Sequence, residues 1–155
     1  MLLLILAGSA AIIQSGSTDI EGTVSVQSGD TVIFGQTIVS LDGVVAPRGN
    51  QYCNNSEGEP YPCGAASRTA LENLVRGKSV RCSVNATGNI CTIDGKSLAG
   101  ELLATGWAVP TRASTSRQFA ALSKKAKLQK IGVWQGSFVH PQDWDVAMRS
   151  NTPVR

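Results

Sequence analysis

The sequence predicts a single domain of the α+β class, mainly β, with about three helices. Three observations lead to this prediction. The chain has 155 residues, a usual length for one domain. Short alternating apolar runs are separated by Gly, Asp and Asn turns, and longer runs carry helical spacing. With 42% hydrophobic and 16% charged residues, the composition is globular and excludes intrinsic disorder.

The first three predicted strands form an antiparallel meander. Residues 21–27 (EGTVSVQ), 31–34 (TVIF) and 37–45 alternate apolar with polar positions. The turn residues Ser28-Gly29-Asp30 and Gly35-Gln36 separate them. Strands joined by such short glycine-containing turns pair with their neighbours in sequence.

Helices and two further strands complete the order of elements. Residues 64–77 have apolar positions at helical spacing and end at a glycine, and the strands 79–84 and 89–93 follow. Two more helices are predicted over residues 97–106 and 116–130. Five strands with a helix between the third and fourth is the order of an OB-fold barrel, so we predict a five-stranded OB-fold barrel.

The two ends of the chain differ in composition from this domain. Residues 1–18 begin with the apolar run MLLLILAGSAAII and end in a Ser/Gly-rich stretch, which predicts a signal peptide or N-terminal anchor plus a linker. The apolar run is too short to span a membrane as a mature helix. We therefore predict a domain over residues 19–145, a flexible tail over 146–155, no membrane span in the mature form, a monomer, and a secreted or periplasmic location.

Four cysteines behind a signal-like segment predict two disulfides in an oxidising compartment. Three pairings are possible. Cys53 and Cys63 bracket a loop rich in Gly, Pro and Asn, and Cys82 and Cys91 lie on two strand-like runs joined by NATGN. The sequential pairing Cys53–Cys63 and Cys82–Cys91 is therefore favoured. A zinc site is the rival interpretation, but the sequence has no CxxC and its single His140 is distant.

The net charge of +3 is unevenly distributed along the chain. Between residues 112 and 130 there are six basic residues and no acid. Two interpretations are open: a face that attracts a polyanion, or a solvated helix face. The residues of the candidate nucleic-acid face are Lys124, Lys125, Lys127 and Lys130.

Several short motifs resemble those of the staphylococcal nuclease-like (thermonuclease) family, in the same order and with similar spacing over residues 22–144. Residues 40–48, SLDGVVAPR, align without gaps on the family pattern R-L-x-G-I-D-A-P-E. The other matching segments are SGDT (28–31), CGAA (63–66), GWA (106–108), GVW (132–134) and HPQDW (140–144).

The resemblance implies a nuclease fold in which most catalytic positions have changed. Active members hydrolyse DNA and RNA with one calcium ion, held by two aspartates and a backbone carbonyl, with a glutamate base and two arginines. The first aspartate matches Asp30, a remnant of the metal site. The first arginine falls on Ser40, the second aspartate on Val45 and the glutamate on Arg48. The second arginine belongs on the hairpin 85–89, which contains none.

This pattern implies a catalytically inactive domain that binds nucleic acid or an envelope protein and needs no cofactor. The alternatives are a calcium-dependent nuclease with an atypical site and a purely structural envelope protein. We expect the Arg48 guanidinium to lie near Asp30 in place of the metal. Asp30 also has a simpler interpretation as a turn residue, and Asp42 is expected to face away from position 45.

The aromatic residues are expected to be structural for the most part. Trp107, Trp134 and Phe138 are predicted to lie in the core, because large rings dominate core burial. Trp144 and Tyr52 are alternatives as exposed platforms on which bases stack, and for Trp144 docking of the tail is favoured. His140 has no partner motif and is interpreted as structural.

Overall fold

A computed structural model describes residues 16–86 and 88–150. Most of the predicted leader, residues 1–15, and the end of the predicted tail, residues 151–155, lie outside the described residues. Thr18, predicted to end the linker, begins the first strand, and residues 146–150 of the predicted tail continue a helix. No helix in the described part of the chain is both long and apolar enough to cross a membrane.

The described residues form a mixed α+β domain, mostly of short antiparallel strands. The strands are β1 (Thr18–Gly22), β2 (Ser25–Ser28), β3 (Thr31–Phe34), β4 (Thr37–Ser40), β5 (Val44–Val45), β6 (Cys53–Asn54), β7 (Pro60–Tyr61), β8 (Val80–Asn85), β9 (Gly88–Ile93), β10 (Lys96–Ser97) and β11 (Val109–Pro110). They pair in the orders β1-β8-β9-β10, β2-β3-β4, β11-β5 and β6-β7. These pairings make four sheets, and no closed barrel is seen in the described ranges.

Within residues 16–86 and 88–150, four α-helices accompany the strands: α1 (Cys63–Val75), α2 (Leu98–Ala104), α3 (Arg117–Gln129) and α4 (Trp144–Ser150). The first three lie where the sequence predicted helices, and Ser97 and Ser116 cap α2 and α3 through their hydroxyls. Two short 3-10 helices, Gly132–Gln135 and Pro141–Asp143, precede α4. Helix α4 was not predicted from the sequence, because residues 146–150 were assigned to the flexible tail.

Two predicted strands are each divided in the structure. The predicted strand 21–27 becomes β1, which pairs with β8, and β2, which pairs with β3. The predicted strand 37–45 becomes β4 and β5, because the chain turns at Asp42 and Gly43. Gly43 has a φ of +73°, which favours glycine, and a Cβ there would lie 2.9 Å from the Phe119 ring on α3. Tertiary contact therefore sets both breaks.

The core consists of two apolar clusters. The larger lies between the sheets and helices α1 and α2, and its fully buried members include Leu71, Leu98, Leu102 and Leu103. The smaller contains Val45, Cys53, Cys63, Val109 and Val133. Partly buried Trp107, Trp134 and Phe138 pack against this second cluster, which confirms their predicted place at the core. The second cluster joins the loop after β5 to the C-terminal part of the domain.

The structure has the two predicted disulfides. Cys53 pairs with Cys63 across a Cα–Cα distance of 5.6 Å, and Cys82 pairs with Cys91 across 4.0 Å. Cys82 and Cys91 are opposite each other in the β8–β9 register. No described cysteine is free, so the rival zinc interpretation is wrong. The two disulfides indicate an extracellular or periplasmic environment.

Removing the first disulfide is expected to cost stability without removing the fold. The double substitution Cys53→Ala and Cys63→Ala should lower the free energy of unfolding by about 2–3 kcal/mol, because a closed loop of this size restricts the unfolded chain. Urea unfolding of variant and native protein measures the difference. The matched control is Cys82→Ala with Cys91→Ala, which opens a loop of similar length inside a hairpin. A loss below about 1 kcal/mol in the first variant would contradict the prediction.

Candidate functional site

A pocket of about 490 Å³ lies where the resemblance places the nuclease site. It is formed by the turn between β2 and β3, the strand β4 and the loop that follows β5. Asp30, Ser40 and Arg48 all line it, together with Pro47 and Gly49. The structure therefore brings together three of the four aligned positions that were singled out in the sequence.

The carboxylate of Asp30 is held by protein donors. Its Oδ1 accepts hydrogen bonds from the hydroxyls of Ser28 (2.7 Å) and Thr31 (3.1 Å), and its Oδ2 accepts one from the Ala46 amide (2.9 Å). Its backbone carbonyl accepts from the Leu41 amide at 2.8 Å. A carboxylate has about four acceptor positions, and three of them are occupied here. Asp30 thus fastens the β2–β3 turn to the loop after β5, as the turn interpretation expects.

Arg48 pairs with a different acid from the one expected. Its Nε lies 4.0 Å from Oδ2 of Asp145 on α4, and both side chains are about half exposed or more. The expected pairing of Arg48 with Asp30 is therefore wrong. The hydroxyls and the amide around Asp30 already satisfy that carboxylate, and α4, which the sequence analysis missed, provides another acid. An exposed pair at this distance contributes little to stability.

Val45 and Ser40 are the two uncharged residues among the four aligned positions. Val45 is 7% exposed, pairs with Val109 between β5 and β11, and packs in the second apolar cluster below the pocket. Ser40 is exposed, and its hydroxyl lies 3.2 Å from that of Thr31. Neither side chain adds charge to the pocket.

The β8–β9 hairpin adjoins the Ser40 side of the pocket. The side-chain amide of Asn89 donates to the Ser40 carbonyl at 3.0 Å, and the backbone carbonyl of Asn89 accepts from the Asp42 amide at 3.1 Å. Asp42 lies against Gly88, where an added Cβ would be 2.4 Å from its carboxyl carbon. Asp42 does not line the pocket. Within the described ranges, no group of three or more His, Cys, Asp or Glu residues could hold a metal ion.

Gln51 is a site residue that the sequence analysis missed. Its side chain is fully buried; Oε1 accepts from the Arg48 amide (3.0 Å), and Nε2 donates to the Val139 carbonyl (2.6 Å). Gln51 thus joins the Arg48 loop to the C-terminal segment. Gly64, the second residue of α1, packs directly against the Arg48 loop, because a Cβ there would lie 1.8 Å from the Arg48 carbonyl oxygen. The glycine after Cys63 was a visible signal, but an isolated glutamine in a polar loop gave none.

The four lysines of the candidate nucleic-acid face do not form one surface. All four are exposed. Lys127 and Lys130 line a groove of about 740 Å³ beside Trp134, whereas Lys124 and Lys125 do not. At 100° per residue, Lys125 lies roughly on the opposite side of α3 from Lys127, whereas Lys124 is only about 60° from Lys127 around the helix but does not line the groove. The structure therefore divides the predicted face into a groove pair and an outer pair.

Polar contacts hold the C-terminal segment against the rest of the domain. Arg112 makes a bidentate ion pair with Asp143, and Trp144, nearly buried, donates from Nε1 to Asn50 at 3.1 Å. The hydrogen bond from Arg112 lowers the pKa of Asp143 and raises the pKa of the guanidinium itself. The docking role expected for Trp144 is confirmed. Arg112 is a member of the basic run, and its charge is compensated locally.

His140 has the structural role expected from the sequence. Its Nδ1 accepts from the Gln142 amide at 3.3 Å at the start of the second 3-10 helix. Its Nε2 lies 3.4 Å from the Pro110 carbonyl. Both ring nitrogens are therefore engaged with backbone groups, and His140 also lines the groove beside Trp134.

Comparisons with known proteins give one curated relative. No family model matches the chain. The chain is 29% identical over 127 residues to the succinoglycan biosynthesis protein ExoI of Rhizobium meliloti (strain 1021). The match covers 77% of this chain and 66% of that protein, so the chain spans slightly less than two thirds of the relative's length.

Proposed function

We propose that this chain is a secreted, staphylococcal nuclease-like domain that has lost its catalytic site and acts by binding nucleic acid. The observation that carries the proposal is the pocket around Asp30. Its one aligned carboxylate is fastened to Ser28, Thr31 and Ala46, and Arg48 stands where the family has its glutamate. The two disulfides support the extracellular or periplasmic part of the proposal.

The fold part of the proposal is a five-stranded OB-type barrel. The sheets β1-β8-β9-β10 and β2-β3-β4 would supply its two sides. The Asp42 amide donates to the Asn89 carbonyl just after β4, so β4 and β9 approach each other at one seam. β1 and β2 follow each other in the chain, but β1 pairs with β8 and β2 pairs with β3. The chain therefore passes from one sheet to the other at this point, as expected where two sheets form the sides of one barrel.

Physical chemistry weighs against calcium-dependent hydrolysis in this pocket. Calcium takes six to eight oxygen ligands, and its affinity rises with the number of carboxylates. Val45 offers no oxygen from its side chain, and the Arg48 guanidinium opposes a cation. Loss of one transition-state donor typically raises a barrier by roughly 3–4 kcal/mol. Two arginines and a general base are missing together, so little acceleration would be left even though such losses do not add.

A cleavage assay tests the proposal. Purified, oxidised protein should leave single-stranded DNA, duplex DNA and RNA intact with millimolar calcium, while it retards single-stranded DNA in a salt-dependent manner. The control is Asp30→Asn, which keeps the shape of the side chain. Calcium-dependent cleavage that both chelator and Asp30→Asn abolish would instead establish the alternative, a nuclease with an atypical site. If the protein neither cleaves nor binds nucleic acid, an envelope-protein partner is favoured.

A second candidate function comes from the curated relative. A protein named for succinoglycan biosynthesis matches 77% of this chain. The chain would then act in the assembly of an envelope polysaccharide, with an anionic glycan as its polyanion. Both candidate ligands, nucleic acid and an anionic glycan, carry negative charges that basic residues could bind. They differ in the groups between those charges, which are bases in nucleic acid and sugars in the glycan. A direct competition between the two ligands separates them and is included in the experiment below.

A further inference from the structure

We propose that single-stranded nucleic acid binds in the groove beside α3, which we call the basic groove. The residues that line it include Lys127, Lys130, Trp134, Gln135, Phe138 and Ser56. The proposal rests on the binding role proposed above, but not on the loss of catalysis. The basic groove shares no lining residue with the pocket around Asp30.

The walls of the basic groove are held in place by backbone contacts. One wall is the end of α3, where Lys130 adopts the left-handed conformation and its amide donates back to the last turn. Another is the disulfide-linked loop that contains Ser56. The Asn54 amide donates to the Ser137 carbonyl at 2.8 Å, and a Cβ on Gly136 would lie 2.1 Å from the Asn54 carbonyl. The loop and the segment after Trp134 therefore lie in close contact, and the groove is preformed.

The charge of the basic groove is uncompensated. Its lining includes Lys127 and Lys130 and contains no aspartate or glutamate. The ion pairs found among the described residues involve neither of these lysines. A concave surface with two cations and no acid attracts phosphates. The outer pair, Lys124 and Lys125, carries the same charge on open helix surface, where counterions screen it.

The aromatic residues give the basic groove a surface for bases. Trp134 and Phe138 are partly buried, with ring centres 5.0 Å apart in an edge-to-face arrangement. Lys127 Nζ lies 5.4 Å from the centre of the Trp134 ring. A phosphate that draws this ammonium away would uncover a ring face on which a base can stack. Trp134 Nε1 is a buried donor with no hydrogen-bond partner in the described residues, and a small turn of the ring toward a ligand oxygen would satisfy it.

Single strands fit this arrangement better than duplexes do. Stacking on an aromatic side chain contributes roughly 1–3 kcal/mol per base and tolerates any sequence. In a duplex the base faces are already stacked on each other, so Trp134 and Phe138 would find only backbone. Lysines beside aromatic rings match the alternation of phosphates and bases along a single strand.

The experiment compares two lysine pairs on the same helix. The groove pair is Lys127→Gln with Lys130→Gln, and the matched control is the outer pair, Lys124→Gln with Lys125→Gln. Both remove two charges from α3. Affinity for a fluorescently labelled oligothymidylate of about twelve nucleotides is measured by anisotropy across a salt series. Loss of two phosphate contacts should reduce the slope of log K against log salt by about 1.4, or roughly 25-fold in affinity at 0.1 M salt. The outer pair does not line the groove, so its loss of affinity should be several-fold smaller than that of the groove pair.

Tryptophan fluorescence supplies a second readout that locates the ligand. Adding unlabelled oligothymidylate should quench the emission of native protein, and Trp134→Phe should lose the quench while it still binds. Trp144→Phe removes the indole that docks the tail and should keep the quench. A quench that survives in Trp134→Phe would overturn the assignment to the groove.

The remaining outcomes separate the inference from the proposed function. An equal loss of affinity in the two lysine pairs would overturn the groove site and leave binding through the general charge of α3. No binding by native protein would overturn both proposals. Duplex DNA that binds as tightly as single strands would overturn the single-strand assignment. Stronger binding of polyglucuronate than of oligothymidylate, weakened by the groove pair alone, would overturn the nucleic-acid ligand and support the polysaccharide function.

Discussion

Replacing Gly132 by alanine is expected to lower the free energy of unfolding by about 2–5 kcal/mol. Gly132 has a φ of +59°, which costs a residue with a side chain roughly 1–2 kcal/mol. A Cβ there would also lie 2.3 Å from the Gly106 carbonyl oxygen and 2.7 Å from that of Thr105. Both are backbone atoms, so the two segments must separate, and overpacking of this kind typically costs about 1–3 kcal/mol more.

Gly35→Ala is the matched control for this prediction. Gly35 has a φ of +60°, nearly the same as that of Gly132, but an added Cβ meets nothing within 4 Å. It should therefore lose only the conformational part, about 1–2 kcal/mol. Urea unfolding of the two variants isolates the cost of close approach. Equal losses would show that the segments around Gly106 and Gly132 are not in contact in solution. Because Trp134 lies two residues after Gly132 in the same 3-10 helix, Gly132→Ala should also weaken oligonucleotide binding, whereas Gly35→Ala should not.

Replacing Gln51 by leucine is expected to lower the free energy of unfolding by about 2–4 kcal/mol. The volume is similar, so packing changes little, but the Arg48 amide and the Val139 carbonyl both lose their partner. An unpaired polar group shielded from water costs roughly 1–3 kcal/mol, and because these two hydrogen bonds are only part-buried, each loss should fall in the lower part of that range. Thermal and urea unfolding measure the loss. Amide hydrogen exchange should accelerate at Arg48, because its amide bonds to the Gln51 side chain.

Asn54→Ala is the control for the buried position of Gln51. Asn54 also reaches the C-terminal segment, through a 3.0 Å bond from Nδ2 to the Ser137 hydroxyl, but this bond is exposed. Water replaces an exposed partner, so the loss should stay below about 1 kcal/mol. If Gln51→Leu cost no more than Asn54→Ala, the buried amide would not be what holds the Arg48 loop to the tail.

Both predictions concern the junction between the pocket around Asp30 and the basic groove. Gln51 ties the Arg48 loop to Val139, and the Gly106–Gly132 contact places the 3-10 helix that contains Trp134. The junction is rich in backbone contacts, among them the hydrogen bond from the Val133 amide to the Gly106 carbonyl at 2.9 Å. The glycines and the buried Gln51 amide that shape it are separate from the polar residues that line the pocket around Asp30.

Helices and turns were largely predictable from the sequence because their signals are local. Helical spacing, serine caps and terminal glycines placed α1, α2 and α3 within a few residues. The turns at Asp30 and Gly35 were equally visible, and so was the sequential disulfide pairing, since each pair of cysteines brackets a short loop. The division of residues 21–27 between two sheets was not predictable, because alternation in sequence carries no information on which neighbour a strand pairs with.

The pocket shows the same distinction. Asp30, Ser40 and Arg48 were identified as one site from their alignment on a family pattern, and all three line one pocket. The predicted partner of Arg48 was wrong. Its actual partner, Asp145, lies 97 residues away on a short helix whose position depends on the docked tail. Gln51 was missed since only burial distinguishes it from the other polar residues of its loop.

The α+β class, the favoured disulfide pairing and the residues aligned on the family pattern were readable from the sequence, because composition, spacing and residue identity are properties of the chain itself. Three features become visible only in the folded chain: Arg48 lies near Asp145, Val45 packs in the core, and two of the four lysines share a groove with Trp134. These are contacts between residues distant in sequence, and the packing of helices and backbone segments against each other fixes them.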